Sequence, residues 1–148
     1  MKSILISTSK FGTVIPNYFK YLGEEFNKNN FSVIFIFDGQ VEDIPPKKVN
    51  TKYFTYPNKR PTKLNDFIFI CKIIKKENPV LCLSNFGSTN IVTIASCIFR
   101  VPYRINYVHT SPHQLKMDSK RNFIHDWILR KRKTLILRAN THIITNSA

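Results

Sequence analysis

Glycine-rich motifs, paired cysteines and long apolar runs are all missing from this 148-residue sequence. No GxGxxG follows the first apolar run, where Gly12 stands alone, so dinucleotide binding of the usual kind is weakly supported. GxxxxGK[ST] and GxSxG are also missing, which excludes a P-loop enzyme and a typical α/β-hydrolase. No run reaches the ~18 apolar residues that span a bilayer, and Ser3–Ser9 is too short for a signal peptide. We therefore expect a cytoplasmic protein.

Cysteine and histidine are sparse and badly spaced for metal binding. Cys71, Cys82 and Cys97 form no CxxC pair, and each stands in an apolar stretch, which predicts three buried, reduced thiols. His109 and His113 have i,i+4 spacing, but Pro112 between them argues against the helix that a zinc site would need. We expect no metal and no cofactor.

Acidic residues are few: 9 Asp and Glu stand against 23 Lys and Arg, a formal net charge of +14. Such an excess suits an anionic partner, such as an anionic lipid surface or a phosphorylated substrate. Composition drift is an equal alternative, since the chain is also rich in Asn, Ile and Phe, as AT-rich coding would produce. The cations are scattered and the aromatic residues look buried, so we expect no nucleic acid partner.

Hydrophobic patterning predicts strands that alternate with helices in one domain spanning residues 1–148. Nearly continuous apolar runs such as Phe31–Phe37 are typical of strands buried on both faces. The prediction is an α/β, Rossmann-like, doubly wound parallel sheet in three layers. The expected strands are Lys2–Ser9, Phe31–Phe37, Lys52–Tyr56 (at an edge), Val80–Leu83, Tyr103–Val108 and Thr141–Thr145. The expected helices run from Pro16 to Asn29, Thr62 to Asn78, Thr89 to Arg100 and Arg121 to Arg138.

Two helices have distinctive local patterns. Thr89 to Arg100 is apolar on nearly every side, which predicts a deeply buried helix with Ser88 as its N-cap. The last helix contains four consecutive cations, which span more than one helical turn and cannot all face away from a core. We expect this turn to project from the body, or its side chains to snorkel. The four cations are Arg130, Lys131, Arg132 and Lys133.

Ligands of open α/β sheets bind outside the carboxyl ends of the strands, where the strand order switches. The loops expected there are rich in hydroxyl groups, amides and glycine, which suit a polyhydroxylated or phosphorylated ligand. His109 is the strongest candidate for a catalytic residue, because a histidine directly after a strand can form a hydrogen bond with a sugar hydroxyl or transfer a proton. A loop histidine without a catalytic role is an equal alternative. The substrate-binding candidates are Phe11, Gly12, Asn85, Gly87, Thr110 and Ser111.

Three segments resemble the N-terminal domain of retaining GT-B glycosyltransferases of family 4. They are KSILISTSKFGTVIPNYFKYLGEEF, LCLSNFGSTNIVTIASCIFRVPYRINYVHTSP and LRANTHIITNSA. The resemblance implies an acceptor-binding half of an enzyme whose second, donor-binding domain is absent from this chain. Gly12 matches the loop that faces the donor phosphates, and His109 matches the histidine that contacts the transferred sugar. Asn85 and Thr110 are weaker matches, and many members carry two glycines where only Gly12 is present.

The resemblance implies transfer of a hexose from a nucleotide-sugar to a glycan or lipid-linked acceptor, in cell-surface polysaccharide or glycolipid synthesis. Family members often work at the cytosolic face of a membrane, which the Arg130–Lys133 cations and Trp127 would suit. A solvated helix end is the alternative for that turn. Without a donor domain, the chain alone is not expected to transfer sugar. The competing hypothesis is a non-catalytic membrane-recruitment or partner-binding module of a split enzyme.

Overall fold

The computed structural model describes residues 1–38, 48–108 and 123–145, apart from the side chains of residues 123–126 and 130. The strands are β1 Ser3–Thr8, β2 Ser32–Phe37, β3 Thr51–Thr55, β4 Leu81–Asn85, β5 Tyr103–Val108 and β6 His142–Thr145. The helices are α1 Val14–Lys28, α2 Leu64–Glu77, α3 Thr89–Ile98 and α4 Phe123–Arg138. A single 3-10 turn, Phe86–Ser88, joins β4 to α3.

The strands form one parallel sheet in the order β3-β2-β1-β4-β5-β6. Helices cover both faces, so the predicted three-layer, doubly wound architecture is confirmed, as is the edge position of β3. Ile6 of β1 lies opposite Phe35 of β2 and Leu83 of β4, deep inside the sheet. The central strands are buried throughout, which explains their unbroken apolar sequences.

One face of the sheet is covered by α1, and we call this helix the α1 layer. Phe19 is fully buried against Ile4, Ile6, Val33 and Phe35. Aromatic rings dominate this core: Phe35, Phe37 and Tyr53 stack across β2 and β3, with their ring centroids 5.7–6.1 Å apart. The apolar stripe of α1 therefore packs on a surface of ring faces, whose stacked geometry adds to the burial energy.

Gly23 lets α1 approach β2 closely. A Cβ atom at this position would overlap the Phe35 ring, which cannot move aside because Phe37 and Tyr53 stack beside it. A residue without a side chain is therefore required at this crossing. The close contact fixes the height of α1 above the sheet.

The opposite face is covered by α2, α3 and α4, which we call the three-helix layer. The inner sides of α2 and α3 are mainly aliphatic, with Ile70, Ile74, Val92 and Ala95 packed against Leu5 and its neighbours in the sheet. α3 contacts both α2 and α4, so the three helices lie side by side.

The C-terminal end of α4 is tied to the rest of the layer by polar contacts. Thr93 Oγ1 of α3 donates to Asn140 Oδ1, 3.3 Å away. The Arg104 guanidinium of β5 donates to the carbonyls of Ala139 and Val101 at 2.9 and 2.7 Å. The positive charge of Arg104, at the C-terminal end of α4, also interacts favourably with the helix dipole.

Two local predictions are wrong, and a third holds in position only. Ser88 occupies the N-cap position of α3, but its backbone is helical and it makes no capping bond, because its hydroxyl donates to the Asn85 carbonyl at 3.0 Å. Cys97 is exposed, whereas Cys82 is buried and Cys71 partly so, although all three are free thiols as expected. α3 is not buried all round, because Ile94 and Ile98 point away from the sheet and are exposed.

The remaining boundaries agree with the predictions to within two residues, apart from the start of α4, since residues 121 and 122 lie outside the described range. β4 extends two residues further than expected, to Asn85, because Ser84 and Asn85 continue the pairing with β5. In the described part of the chain, no helix is long and apolar enough to cross a membrane.

Candidate functional site at the carboxyl edge of the sheet

The strand order reverses between β1 and β4. β1 leads through α1 to β2 on one side, and β4 leads through α3 to β5 on the other. α1 and α3 lie on opposite faces of the sheet. The segments that follow β1 and β4 therefore diverge as they leave the sheet. Such a divergence opens the crevice in which α/β sheets bind ligands.

The β1–α1 loop carries Phe11 and Gly12, the first two predicted site residues. Gly12 has a φ of +128°, a conformation that favours glycine, and its N–H donates to Asn17 Oδ1 at 3.1 Å. A Cβ at Gly12 would meet no atom within 4 Å, so the loop is open at this point. Phe11 instead packs edge-on against Phe35 and Phe37, at centroid distances of 5.2 and 4.9 Å. The Phe11 ring anchors the loop to the sheet, whereas Gly12 is exposed.

Asn85 lies at the end of β4, beside β1. Its Nδ2 donates to Thr8 Oγ1 at 3.1 Å, which joins the ends of the two strands at the switch point. The Asn85 side chain is fully buried, and its Oδ1 has no hydrogen-bond partner among the residues that the structure describes. A buried acceptor without a partner is costly, so the Asn85 amide is satisfied on its Nδ2 side only within this part of the chain.

A second polar group lies on the other face of the same edge. Ser7 Oγ donates to Ser88 Oγ at 2.7 Å and lies 3.0 Å from Tyr56 Oη. This chain of hydroxyls links β1, the end of β3 and the 3-10 turn, and all three side chains are buried. Burial raises the pKa of the Tyr56 hydroxyl far above its ordinary range, so Tyr56 stays neutral.

Asp38 ends β2 on the same face as Tyr56 and was not among the predicted site residues. Its Oδ1 is buried and has no hydrogen-bond partner in the described ranges, which leave out the adjoining residues 39–47. Burial, with the Asp66 carboxylate as a second cause, raises the pKa of Asp38 to about 7. Gly87, a predicted site residue, lies beside it, since a Cβ there would be 3.9 Å from Asp38 Oδ2. Asp38 thus has a pKa near neutral at the carboxyl edge of the sheet, which makes it a candidate acid–base group.

Asp66 is fully committed to local structure, in contrast to Asp38. Its Oδ1 accepts from the backbone and side-chain N–H groups of Asn58 at 3.1 and 3.0 Å, and its Oδ2 accepts from the Lys63 N–H at 3.0 Å. The carboxylate therefore holds the β3–α2 loop at the start of α2, where a negative charge is favoured by the helix dipole.

The structure places Gly12 in the loop that follows β1 and Asn85 at the end of the adjacent strand β4, and it places Gly87 next to Asp38. His109, Thr110 and Ser111 lie outside the described residues, directly after the end of β5 at Val108. Their proposed roles stay predictions. Among the described residues, no three His, Cys, Asp or Glu side chains are placed to hold a metal ion.

The basic turn lies apart from this edge, on α4. Lys131, Arg132 and Lys133 are exposed, and the side chain of Arg130 lies outside the described part. Lys131 Nζ lies 5.7 Å from the centre of the Trp127 ring, at the distance of a cation–π contact. Lys131 and Trp127 therefore lie together on the exposed side of α4, and a contact role for the four cations stays a prediction.

The fold is that of the Rossmann-like halves of GT-B glycosyltransferases. The similar solved structures include UGT2 of Phytolacca americana, at 9% identity and a TM-score of 0.63 over 100% of this chain. Sucrose-phosphate synthase of Thermosynechococcus elongatus matches at 12% identity and a TM-score of 0.61 over 97%. The same UGT2 in complex with UDP-2-fluoro-glucose and pterostilbene matches at 10% identity and a TM-score of 0.54 over 82%.

The chain corresponds to less than half of each of these proteins: 46%, 42% and 35% of their lengths. At such low identity, the likeness concerns the fold alone. No protein-family model and no curated protein sequence matches the chain. The resemblance to family 4 stays a prediction, while the GT-B type of fold is confirmed.

Proposed function

We propose that this chain is the acceptor-binding half of a glycosyltransferase that moves a hexose from a nucleotide-sugar to a glycan or lipid-linked acceptor. The nucleotide-sugar would be held mainly by a second domain, so the chain alone would not transfer sugar. The pathway we propose is cell-surface polysaccharide or glycolipid synthesis, and the location is the cytoplasm or the inner face of the membrane.

The observation that supports this proposal is the set of polar groups at the switch point of a GT-B type sheet. Gly12 is exposed in the loop after β1, and Asn85, whose amide is only half satisfied among the described residues, ends the adjacent strand β4. Sugar hydroxyls both donate and accept hydrogen bonds, so they suit a mixture of amide, hydroxyl and backbone groups. The related fold of UGT2 was solved with a sugar nucleotide and an aromatic acceptor.

In this proposal, His109 and Asp38 divide the acid–base work. His109 directly follows β5, the strand beside β4, and a neutral imidazole there would accept a proton or bond a sugar hydroxyl. Asp38, with a pKa of about 7, would accept a hydrogen bond from a hydroxyl when ionised and donate one when protonated.

The test is to titrate the chain with a panel of methyl hexopyranosides, and separately with UDP-glucose, while recording backbone amide signals by NMR. We expect a hexoside to shift the signals of Thr8, Gly12 and Asn85 in a saturable manner, and UDP-glucose to shift them less. Shifts confined to the opposite edge, around Phe31 and Asn78, or no saturable shifts at all, would contradict the proposal.

A matched pair of variants sharpens this test. Thr8 and Thr51 are both buried threonines whose hydroxyl groups lie within hydrogen-bond distance of an asparagine amide, Thr8 at the carboxyl edge and Thr51 at the amino edge of the sheet. Thr8→Val is expected to weaken hexoside binding several-fold, because it removes the hydroxyl that holds Asn85. Thr51→Val is expected to leave binding unchanged, and equal losses would exclude a site at the carboxyl edge.

A further inference from the structure

The α1 side of the sheet is only partly covered by the helices that the structure describes. Of these helices, α1 alone lies on that side, and it packs against β1 and β2. Parallel sheets are normally covered on both faces, yet Ile144 of β6 is 38% exposed and Tyr107 of β5 is only half-buried on this side. The strands β5 and β6 therefore present an open strip beside α1.

This strip begins next to the candidate site. Asn85, Tyr107 and Ile144 are paired in register across β4, β5 and β6, so their side chains form one row on one face. The Asn85 amide at the start of the row donates to Thr8 at the carboxyl edge. Adjacent strands lie ~4.8 Å apart, which is about the length of one pyranose unit. A ligand whose terminal sugar contacts Asn85 would therefore place its next sugar over Tyr107.

Two tyrosines form the centre of the strip. The ring of Tyr18 on α1, a residue that is 48% exposed, lies 6.0 Å from the ring of Tyr107, measured between centroids. Each ring also contacts the buried Phe19 at a centroid distance of 5.4 Å, so the α1 core holds both in position. Side chains that are already ordered lose little conformational entropy when a ligand packs on them. The two rings are therefore a preformed aromatic platform.

The chemistry of the strip indicates which ligand it suits. Tyr18, Tyr107 and Ile144 carry no charge, in a chain with a net charge of +14, so they offer nothing to a phosphate group. An entirely apolar ligand would form no hydrogen bond with Asn85 Oδ1, which has no partner in the described part of the chain. A pyranose has an apolar face of C–H groups and a rim of hydroxyls. It can therefore pack on an aromatic ring and form hydrogen bonds with an adjacent amide at the same time.

We propose that Tyr18 and Tyr107 form a second sugar subsite, so that the acceptor is an oligosaccharide. Its terminal residue contacts Asn85, and its next residue packs on the two rings. This inference rests on the proposed function, to which it adds the class of acceptor. A monosaccharide would leave the aromatic platform in contact with water, whereas the second sugar buries it and gains affinity from the apolar area removed from water.

The test compares methyl hexopyranosides with disaccharides that end in the same sugar: cellobiose and maltose for glucose, lactose for galactose. Binding is followed by NMR on the full chain, isotope-labelled at the backbone amides and the tyrosine rings. We expect one disaccharide to bind roughly fivefold or more tightly than its monosaccharide, as one added aromatic contact provides, and to shift the ring signals of Tyr18 and Tyr107. Equal affinities with unmoved ring signals would overturn this inference and leave the proposed function standing. If no saccharide shifts the amide signals of Thr8, Gly12 and Asn85, both are wrong.

Variants show whether the rings themselves bind the second sugar. Tyr18→Ala should remove most of the preference for the disaccharide, whereas Tyr18→Phe keeps the ring and should retain most of it. Tyr103 is the matched control, because it is 56% exposed on the same face of β5 as Tyr107 but lies ~13 Å nearer the amino edge. Tyr103→Ala should leave the preference unchanged.

Three results from these variants would overturn the inference, provided that circular dichroism shows each variant to be folded. One is an equal loss of preference in Tyr103→Ala, and another is no loss in Tyr18→Ala. The third is a dimer in sedimentation that Tyr18→Ala dissociates, because it would assign the strip to a second copy of the chain.

Discussion

The α1 layer and the three-helix layer cover the same sheet in different ways. α1 packs aromatic rings against the sheet, and on its outer side the carboxylates of Glu24 and Glu25 pair with Lys48 and Lys28 at 2.8 and 2.6 Å. The three-helix layer packs mainly aliphatic side chains inward, with Phe67 and Phe69 of α2 among them, and presents apolar groups and cations outward. Both inner sides fill a core, so the difference between the outer sides does not follow from the needs of the core.

The largest expected effect tests whether α1 covers its face as described. Phe19→Ala would open a cavity among the rings of the α1 core and should lower the free energy of unfolding by about 3–5 kcal/mol. Ile70→Ala on the other face should cost about 2–5 kcal/mol. Urea unfolding followed by circular dichroism measures both. Tyr21→Ala, on the exposed side of α1, should change stability by less than about 0.5 kcal/mol, and a Phe19 variant no worse than that would refute the packing.

The next effect concerns the buried carboxyl group on the side of the three-helix layer. The pKa of Asp38 rises from 3.8 to about 7, so the folded chain holds a proton that the unfolded chain releases between these values. The contribution of Asp38 to the free energy of unfolding is therefore fully present below about pH 4. It is lost as the pH rises to about 7, and the free energy of unfolding then falls by about 1 kcal/mol per pH unit.

Asp38→Asn cannot titrate and should flatten this part of the stability profile, as measured by urea unfolding at a series of pH values. The facing groups, Asp66 and Tyr56, are unchanged in the variant, so the difference between the two profiles isolates Asp38. Identical slopes for the two proteins would show that Asp38 is not buried as described.

A smaller effect tests the close approach of α1. Gly23→Ala would gain helix propensity of up to about 1 kcal/mol, but its methyl group overlaps the Phe35 ring, and overpacking costs about 1–3 kcal/mol. We expect a net loss of about 1 kcal/mol in thermal or urea unfolding. Gly87→Ala is the matched control, since its Cβ would meet only ordinary contacts of 3.7 Å or more. A Gly23 variant as stable as the Gly87 variant would mean that the crossing is looser than described.

The smallest effect separates the inner and outer sides of the three-helix layer. Ile98→Ser removes an exposed side chain and should leave the free energy of unfolding within about 0.5 kcal/mol of the parent. Val92→Ser, six residues earlier on the buried side of α3, should be strongly destabilising because it places an extra hydroxyl in the core. Similar losses from both would show that α3 is buried all round, as its sequence alone suggested.

Much of the fold could be predicted from local pattern. The unbroken apolar run of β2 and the single apolar stripe of α1 each reveal how many sides of an element are covered, and the parallel sheet follows from their alternation. The exposure of Ile94 and Ile98 could not be predicted, because a short helix that is apolar on all sides has the same sequence whether or not another layer covers it. Only the position of α3, between α2 and α4 in a single layer, decides whether Ile94 and Ile98 are covered.

The sequence could predict only those residues of the candidate site whose location follows from their position relative to a strand. Gly12 lies in the loop after β1 and Asn85 ends β4, so their place at the carboxyl edge follows from the sheet. The raised pKa of Asp38 depends on burial and on Asp66, which is 28 residues away along the chain and approaches it only in the folded protein. Ser88 looked like a cap because of its neighbours in sequence, yet its hydroxyl accepts from Ser7, whose strand is far away in the chain.

The last strand, β6, has a consequence for handling the protein. It lies at an edge of the sheet, all four of its residues are exposed, and Ile143 and Ile144 point to opposite faces. An apolar edge strand is a template on which further strands of other molecules can add, the usual start of aggregation. The net charge of +14 opposes this addition by mutual repulsion. Concentrated salt screens that repulsion, so the chain should stay dispersed at low ionic strength and precipitate as salt is added, which light scattering would reveal.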